Sequence, residues 1–287
     1  MMVIKEMDMR SISLGIYEKA LTPTQDWGER FAQVNRLGFD FMDISIDERD
    51  ERLSRLFMEP DDVRAIGSEA VRNGVMIGGV CLSAHRRYAL GSPDPVKAAK
   101  GREILFRSID FAKAVGSSLV QLAGYYTFYE PHDHGCRERF LDNLRDGVRY
   151  AARQGVMLGI ENVDGEDVTD LRELRRILDE IHSPWLQAYP DVGNSAFNLR
   201  DVRDDLRAVE GHIAAIHVKD VLPGRPRKVP FGQGIADFGA AFMELKTQRW
   251  SGRMMIEMWN EDVDAEHECR VAKEFIETKL KTYGLWD

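Results

Sequence analysis

Short apolar runs alternate with longer amphipathic stretches along the whole chain. The short runs are "ISLGIY" (12–17), "FMDISID" (41–47), "MIGGVCLS" (76–83) and "SLVQLAG" (118–124). They continue as "VMLGIEN" (156–162), "LQAYPDV" (186–192), "IAAIHVKD" (213–220) and "RMMIEMW" (253–259), and their brevity and apolar content predict eight strands. Between them, stretches such as "PVKAAKGREILFRSIDFAKAVG" and "GCRERFLDNLRDGVRYAARQG" repeat apolar residues at helical spacing, and Gly116 and Gly155 stand where these helices should stop. Near-continuous apolar strands imply a sheet covered on both faces, and alternation with helices implies parallel pairing. Eight such units, with no Gly/Ser/Pro-rich linker or low-complexity tract, predict one (β/α)8 barrel, a TIM-barrel domain over residues 1–287. An open doubly wound sheet would want a GxGxxG turn after an early strand, whereas the first strand here runs into "EKALTPTQDW".

A barrel collects its chemistry at the C-terminal ends of its strands. Glu161 ends the fifth predicted strand, Asp191 the sixth, His217 the seventh and Glu257 the eighth. One such residue at a strand end is more often a helix cap or a loop residue, and Asp191 in "DVGNS" could simply start a turn. Ligand-type residues at one level on four consecutive strands predict a metal site instead. Three carboxylates and an imidazole suit Zn2+, Mn2+ or Mg2+. Gly159 shares the strand face of Glu161 one layer below and leaves space there.

Charge and cysteine usage narrow the function classes. A formal net charge of −9 argues against an electrostatic grip on nucleic acid or on an anionic membrane. No run approaches the roughly 18 apolar residues of a membrane span. The opening "MMVIKEMDMR" is broken by charges and does not look like a secretion signal. The three scattered cysteines, Cys81, Cys136 and Cys269, form no CxxC or disulfide framework, which suits a reducing cytoplasm.

The segments "LGIENVD", "YPDVGN", "IHVKD", "VPFGQG" and "MIEMWNE" together resemble the sugar-phosphate epimerases of the xylose-isomerase-like barrel superfamily, in particular the L-xylulose-5-phosphate (L-ribulose-5-phosphate) 3-epimerases. "GIYEKAL", "FDFMDISIDERDERLSRL", "CLSAHRRYALGS" and "LAGYYTFYE" extend the resemblance through the N-terminal half. It implies an enzyme that inverts C3 of a ketopentose 5-phosphate, a reaction of L-ascorbate degradation. It also implies one divalent cation on Glu161, Asp191, His217 and Glu257, with Glu161 and Glu257 doubling as the acid/base pair, and a homodimer. The chemistry is coherent: a cation on the C2 oxygen and the neighbouring hydroxyl stabilises the enediolate left when the C3 proton is removed.

A sugar phosphate also needs a grip on its phosphate. "LPGRPRKVPFGQG" carries Arg225, Arg227 and Lys228 ahead of Gly232 and Gly234, whose amides could form an anion nest where barrels often bind phosphate. "AHRRY" offers His85, Arg86 and Arg87 as a second basic cluster. Asn162 and Lys219 neighbour proposed ligands and could hydrogen-bond a substrate oxygen, and Trp259 could wall the pocket. His132 and His134 read as a solvated pair, while Asp43 and Asp47 have no assigned role. Three other readings compete: an epimerase or isomerase of free ketoses, a non-enzymatic sugar binder, and a related apurinic DNA endonuclease. The last needs a histidine-rich site, and only His85 and His217 of the seven histidines lie at or beside a strand end.

Overall fold

The computed structural model describes residues 12–260 and 264–286. The opening "MMVIKEMDMR" and the Glu261 that closes "MIEMWNE" lie outside the described residues. The N-terminal half runs β1 (Ile12–Tyr17), α1 (Trp27–Arg36), β2 (Phe41–Ile46), α2 (Asp50–Leu53), α3 (Pro60–Arg72), β3 (Met76–Leu82), α4 (Pro95–Ala114) and β4 (Leu119–Ala123). It continues with α5 (Cys136–Gln154), β5 (Met157–Glu161), α6 (Leu171–Ile181), β6 (Leu186–Ala188), α7 (Val192–Phe197), α8 (Val202–Ala208) and β7 (Ala215–Val218). An antiparallel hairpin, β8 (Asp220–Leu222) and β9 (Arg225–Val229), precedes α9 (Phe238–Thr247), β10 (Gly252–Ile256) and α10 (Ala265–Thr282).

Eight parallel strands follow the order β6-β5-β4-β3-β2-β1-β10-β7. The sheet closes through single bridges, Ala188 to Ile213 and Asp191 to His217. This seam is thin for a local reason. The sixth strand was expected over 186–192 but ends at Ala188, because Pro190 has no N–H to give to a ladder and Val192 already begins α7. The loop expected after the seventh strand is instead the β8–β9 hairpin.

Strand side chains divide by alternation. Leu14 and Ile16, Met42 and Ile44, and Val120 and Leu122 join the large core shared with the surrounding helices. Tyr17, Phe41, Cys81 and Met255 form a second cluster on the opposite, lumenal face, and Leu119, Tyr189 and Ala215 a third. The Phe41 ring fills the floor: a Cβ added at Gly15 or at Gly78 would lie 2.2 Å from it. Helix termini follow sequence signals. Asp94 accepts from the Val96 and Lys97 amides to start α4, with Pro95 in its first turn, and Gly155 ends α5 at φ 71°.

Candidate active site

Glu161 ends β5 and His217 lies in β7, while Asp191 and Glu257 follow β6 and β10. Register brings them to one level, since Asp191 pairs with His217 and the Glu257 amide donates to the Val218 carbonyl at 2.9 Å. One ligand atom from each of the four lies within 4.8 Å of the others. The site is buried, with Asp191 0%, His217 1% and Glu161 7% exposed, so its charges must be balanced from within.

Asp191 answers both readings of "DVGNS". Its Oδ1 accepts from the Asn194 amide at 2.9 Å and caps α7. Its Oδ2 faces the cluster, 2.8 Å from Lys219 Nζ in an ion pair but with no directed hydrogen bond. Asn162 holds this arrangement: its Oδ1 accepts from the Asp191 amide at 2.7 Å, and its Nδ2 donates to the Asp191 carbonyl and Ser195 Oγ, each at 3.2 Å. Asn162 is therefore a clamp on the β5–β6 seam, and the expectation that it binds substrate is corrected.

The Glu161 carboxylate accepts from Gln121 Nε2 at 2.6 Å and lies 3.0 Å from His217 Nδ1. Lys219 Nζ bridges Asp191 Oδ2 at 2.8 Å and Glu257 Oε2 at 2.9 Å. Burial disfavours charge on His217, but the Glu161 charge and hydrogen bond overcome it, and its pKa is pushed up to about 9. Lys219 is likewise held charged against burial by Asp191 and Glu257. Glu257 would be raised by burial, yet Lys219 and His217 hold it well below the usual carboxylate range. Burial raises Asp191, helped by the charges of Glu257 and Glu161 and opposed by Lys219. Three carboxylates facing one ammonium leave two negative charges once His217 gives up its proton, as a metal-ligating imidazole must. One divalent cation balances that residue of charge, and the under-donated Asp191 Oδ2 gives it a ready ligand. The donor set fits such a cation. Lys219, 3% exposed, stands as a counter-ion between two of these carboxylates.

A second layer lies beneath. His217 Nε2 is 4.0 Å from Cys81 Sγ, which is 3.9 Å from Asp43 Oδ2. The same Asp43 oxygen accepts from Tyr189 OH at 3.0 Å. Tyr189 also packs edge-on against the imidazole at 4.4 Å between centroids. This stack fixes the ring so that Nδ1 faces the carboxylates. Tyr189 occupies the space expected below Glu161, with two of its carbons 3.2 Å from where a Gly159 Cβ would sit.

Above the cluster is a cavity of about 50 Å3, walled by Tyr17, Gln121, Glu161, Glu257 and Trp259 and entered by Lys19, Ser83, Arg86 and Arg227. Trp259 lines this space, set edge-on to Tyr17 at 6.2 Å, and also lines a larger cavity of about 370 Å3. Arg86 and Arg227 thus reach the site. His85 does not: it is 3% exposed, its Nε2 lies 3.1 Å from the Gly101 carbonyl of α4, and burial drops its pKa to about 4. Arg225 is exposed, binds the Lys228 carbonyl and lines only the larger cavity. The Gly232 and Gly234 amides are not free for an anion, because both donate to Asp220 Oδ2 at 2.9 Å. His132 bridges Glu166 at 2.8 Å and Asp167 at 3.2 Å and so ties two loops together. Sequence reasoning missed Gln121, Lys19, Ser83, Cys81 and Tyr189. Of these only Gln121 carries a signal, as the one amide inside the apolar strand "SLVQLAG".

A model of the xylose isomerase-like TIM barrel family matches residues 31–279. The chain is 40% identical over 277 residues to a protein of Escherichia coli O157:H7 (strain EC4115 / EHEC) named L-ribulose-5-phosphate 3-epimerase UlaE, covering 96% of this chain and 98% of that one. Among solved structures, an L-ribulose 3-epimerase superposes with a TM-score of 0.79 at 17% identity, covering 95% of this chain and 96% of that one. D-psicose 3-epimerase with D-tagatose from Clostridium cellulolyticum H10 gives 0.79 at 16% identity, covering 93% and 99%. At such identities these two structures speak to the fold alone.

Proposed function

The chain belongs to the xylose isomerase-like TIM barrel family, and from that premise we propose that it inverts C3 of a ketopentose 5-phosphate, interconverting L-xylulose 5-phosphate and L-ribulose 5-phosphate. The observation that carries this reading is the buried quartet of Glu161, Asp191, His217 and Glu257 at the mouth of the barrel, together with 40% identity to a protein named for C3 epimerisation of L-ribulose 5-phosphate.

The four side chains would hold one Zn2+, Mn2+ or Mg2+, and such a cation polarises the C2 carbonyl and so acidifies the C3 proton. Glu161 and Glu257 are the proton carriers. Glu161 ends β5 and Glu257 follows β10, three strands apart around the closed barrel, and both line the small cavity. One carboxylate takes the C3 proton to give an enediolate, and the other returns a proton to the opposite face. Gln121 keeps the Glu161 carboxylate in place by its 2.6 Å hydrogen bond. Lys219 and His217 favour the charged form of Glu257, the form a base requires. Trp259 and Tyr17 exclude water above the reacting carbon.

The cavity above the quartet measures about 50 Å3, and Trp259 and Glu257 also line a larger cavity of about 370 Å3 beside it. Arg227 ties the β8–β9 hairpin to Asp164 at 2.8 Å on the β5 side. Three free, buried cysteines support work in a reducing cytoplasm. Glu161→Gln and Glu257→Gln are each expected to lower epimerase turnover by at least ~1,000-fold with an unchanged circular dichroism spectrum. A variant that kept near-parental turnover would remove that glutamate from the proton-transfer scheme.

A further inference from the structure

We infer that the barrel carries a second cation site beneath the first, formed by Asp43, Cys81 and Nε2 of His217. It takes a soft ion such as Zn2+, Cd2+ or Cu+ and competes with the quartet for the imidazole. The inference goes beyond the epimerase reading and does not depend on the substrate. The three residues stand on β2, β3 and β7. One donor atom of each lies within 4.8 Å of the other two, and the residues are 1%, 3% and 1% exposed.

Asp43 is a buried carboxylate without a counter-ion. Its Oδ2 accepts from Tyr189 OH at 3.0 Å, but its Oδ1 has no hydrogen-bond partner. Among the described residues no lysine or arginine forms an ion pair with it, and the Arg253 guanidinium is bonded to the Gly78 carbonyl instead. A buried charge is normally paired or bound to a metal. The orphan oxygen therefore points to a cation, and the thiol beside it decides which kind.

Cys81 Sγ lies 3.9 Å from Asp43 Oδ2 and 4.0 Å from His217 Nε2. A thiol is a weak hydrogen-bond partner at such distances, and they suit a metal better. Zn2+ sits about 2.3 Å from a thiolate sulfur and about 2.1 Å from an imidazole nitrogen or a carboxylate oxygen. Gaps of 3.9 and 4.0 Å each admit one ion held off the line between the two donors. A thiolate, an imidazole and one carboxylate make a softer set than the three carboxylates and imidazole of the quartet. Tyr189 steadies two of the three donors, bonding Asp43 and packing on the imidazole at 4.4 Å. Cys81 also lines the small cavity, so an ion that enters the mouth meets the thiol.

His217 makes the two sites alternatives. A neutral imidazole has one lone pair and one N–H. When Nδ1 binds the quartet's cation, the proton sits on Nε2 and the lower site lacks its nitrogen. When Nε2 binds a soft ion, the proton sits on Nδ1 and is donated to Glu161 Oε1, 3.0 Å away. The thiol proton leaves to solvent as the sulfur binds. A soft ion in excess thus draws His217 out of the quartet.

The test is titration of the chelator-treated full chain with Cd2+, followed by the near-ultraviolet thiolate-to-cadmium absorption, on the parent, Cys81→Ser and Asp43→Asn. The parent should develop the band, Cys81→Ser should lack it, and Asp43→Asn should need about 10-fold more Cd2+ to reach its midpoint. Saturating Mn2+, which favours oxygen over sulfur, should raise the parent's midpoint by about 10-fold or more. In reverse, Cd2+ should release Mn2+ from the loaded parent, seen in the EPR signal of the free ion. Cys81→Ser should need about 10-fold more Cd2+ for the same release. A parent that binds Cd2+ without the band overturns the site. So does a band that survives in Cys81→Ser, since it would belong to Cys136 or Cys269. A midpoint that Mn2+ does not move, or equal Mn2+ release from parent and Cys81→Ser, overturns the competition. The Mn2+ effect needs only the parent, so the competition is testable even where a variant fails to fold.

Discussion

At the residue scale, direction decides function more than identity does. His85 and Arg86 are neighbours in one turn, yet Arg86 enters the cavity and His85 packs against the Gly101 carbonyl. The buried His85 therefore predicts a stability effect and no binding effect. Its folded-state pKa of about 4 lies below the ordinary 6.5, so the unfolded chain takes up a proton first as pH falls. The contribution is fully present above pH 6.5 and is lost progressively down to about pH 4, amounting to about 3 kcal/mol. His85→Gln, with a donor kept for Gly101, should show a flatter fall in urea midpoint over that window than the parent; an identical fall would refute the assignment. The four quartet residues were legible in the sequence because a strand's end tells which face of a barrel it serves. Asn162 was misread for a related reason. Sequence places it beside the ligands, but only geometry shows that its polar atoms are already engaged with Asp191 and Ser195.

At the scale of elements, the β8–β9 hairpin is the piece that reading the sequence could not supply. "LPGRPRKVPFGQG" has the glycines and cations of an anion-binding loop, and the feature that reassigns them lies upstream of the loop itself. Asp220 sends its carboxylate back into the turn, accepting from the amides of Gly232, Gly234 and Ala236 at 2.9, 2.9 and 3.2 Å. A protein carboxylate thus fills the nest that a phosphate was expected to fill. Asp220→Ala should leave the barrel folded but speed hydrogen exchange of those three amides on the order of 10-fold or more. Unchanged exchange would mean that something else orders the turn. The strands were far easier to read, since buried parallel strands declare themselves as apolar runs. The exception is β6, shortened by Pro190 to three residues, so that the barrel closes by bridges and not by a full ladder.

At the scale of the whole molecule, an acidic chain of net charge −9 gathers a buried excess of negative charge at the centre of the barrel mouth. None of the helices among the described residues is long and apolar enough to cross a membrane. The central claim is metal-dependent proton exchange at C3. Its most direct test is incubation of the protein with L-ribulose 5-phosphate in deuterated water, before and after chelation, with the label located by NMR. The account predicts deuterium at C3, lost on chelation and restored by added Zn2+, Mn2+ or Mg2+. Deuterium confined to C1, or labelling at C3 that is indifferent to chelation, would contradict it.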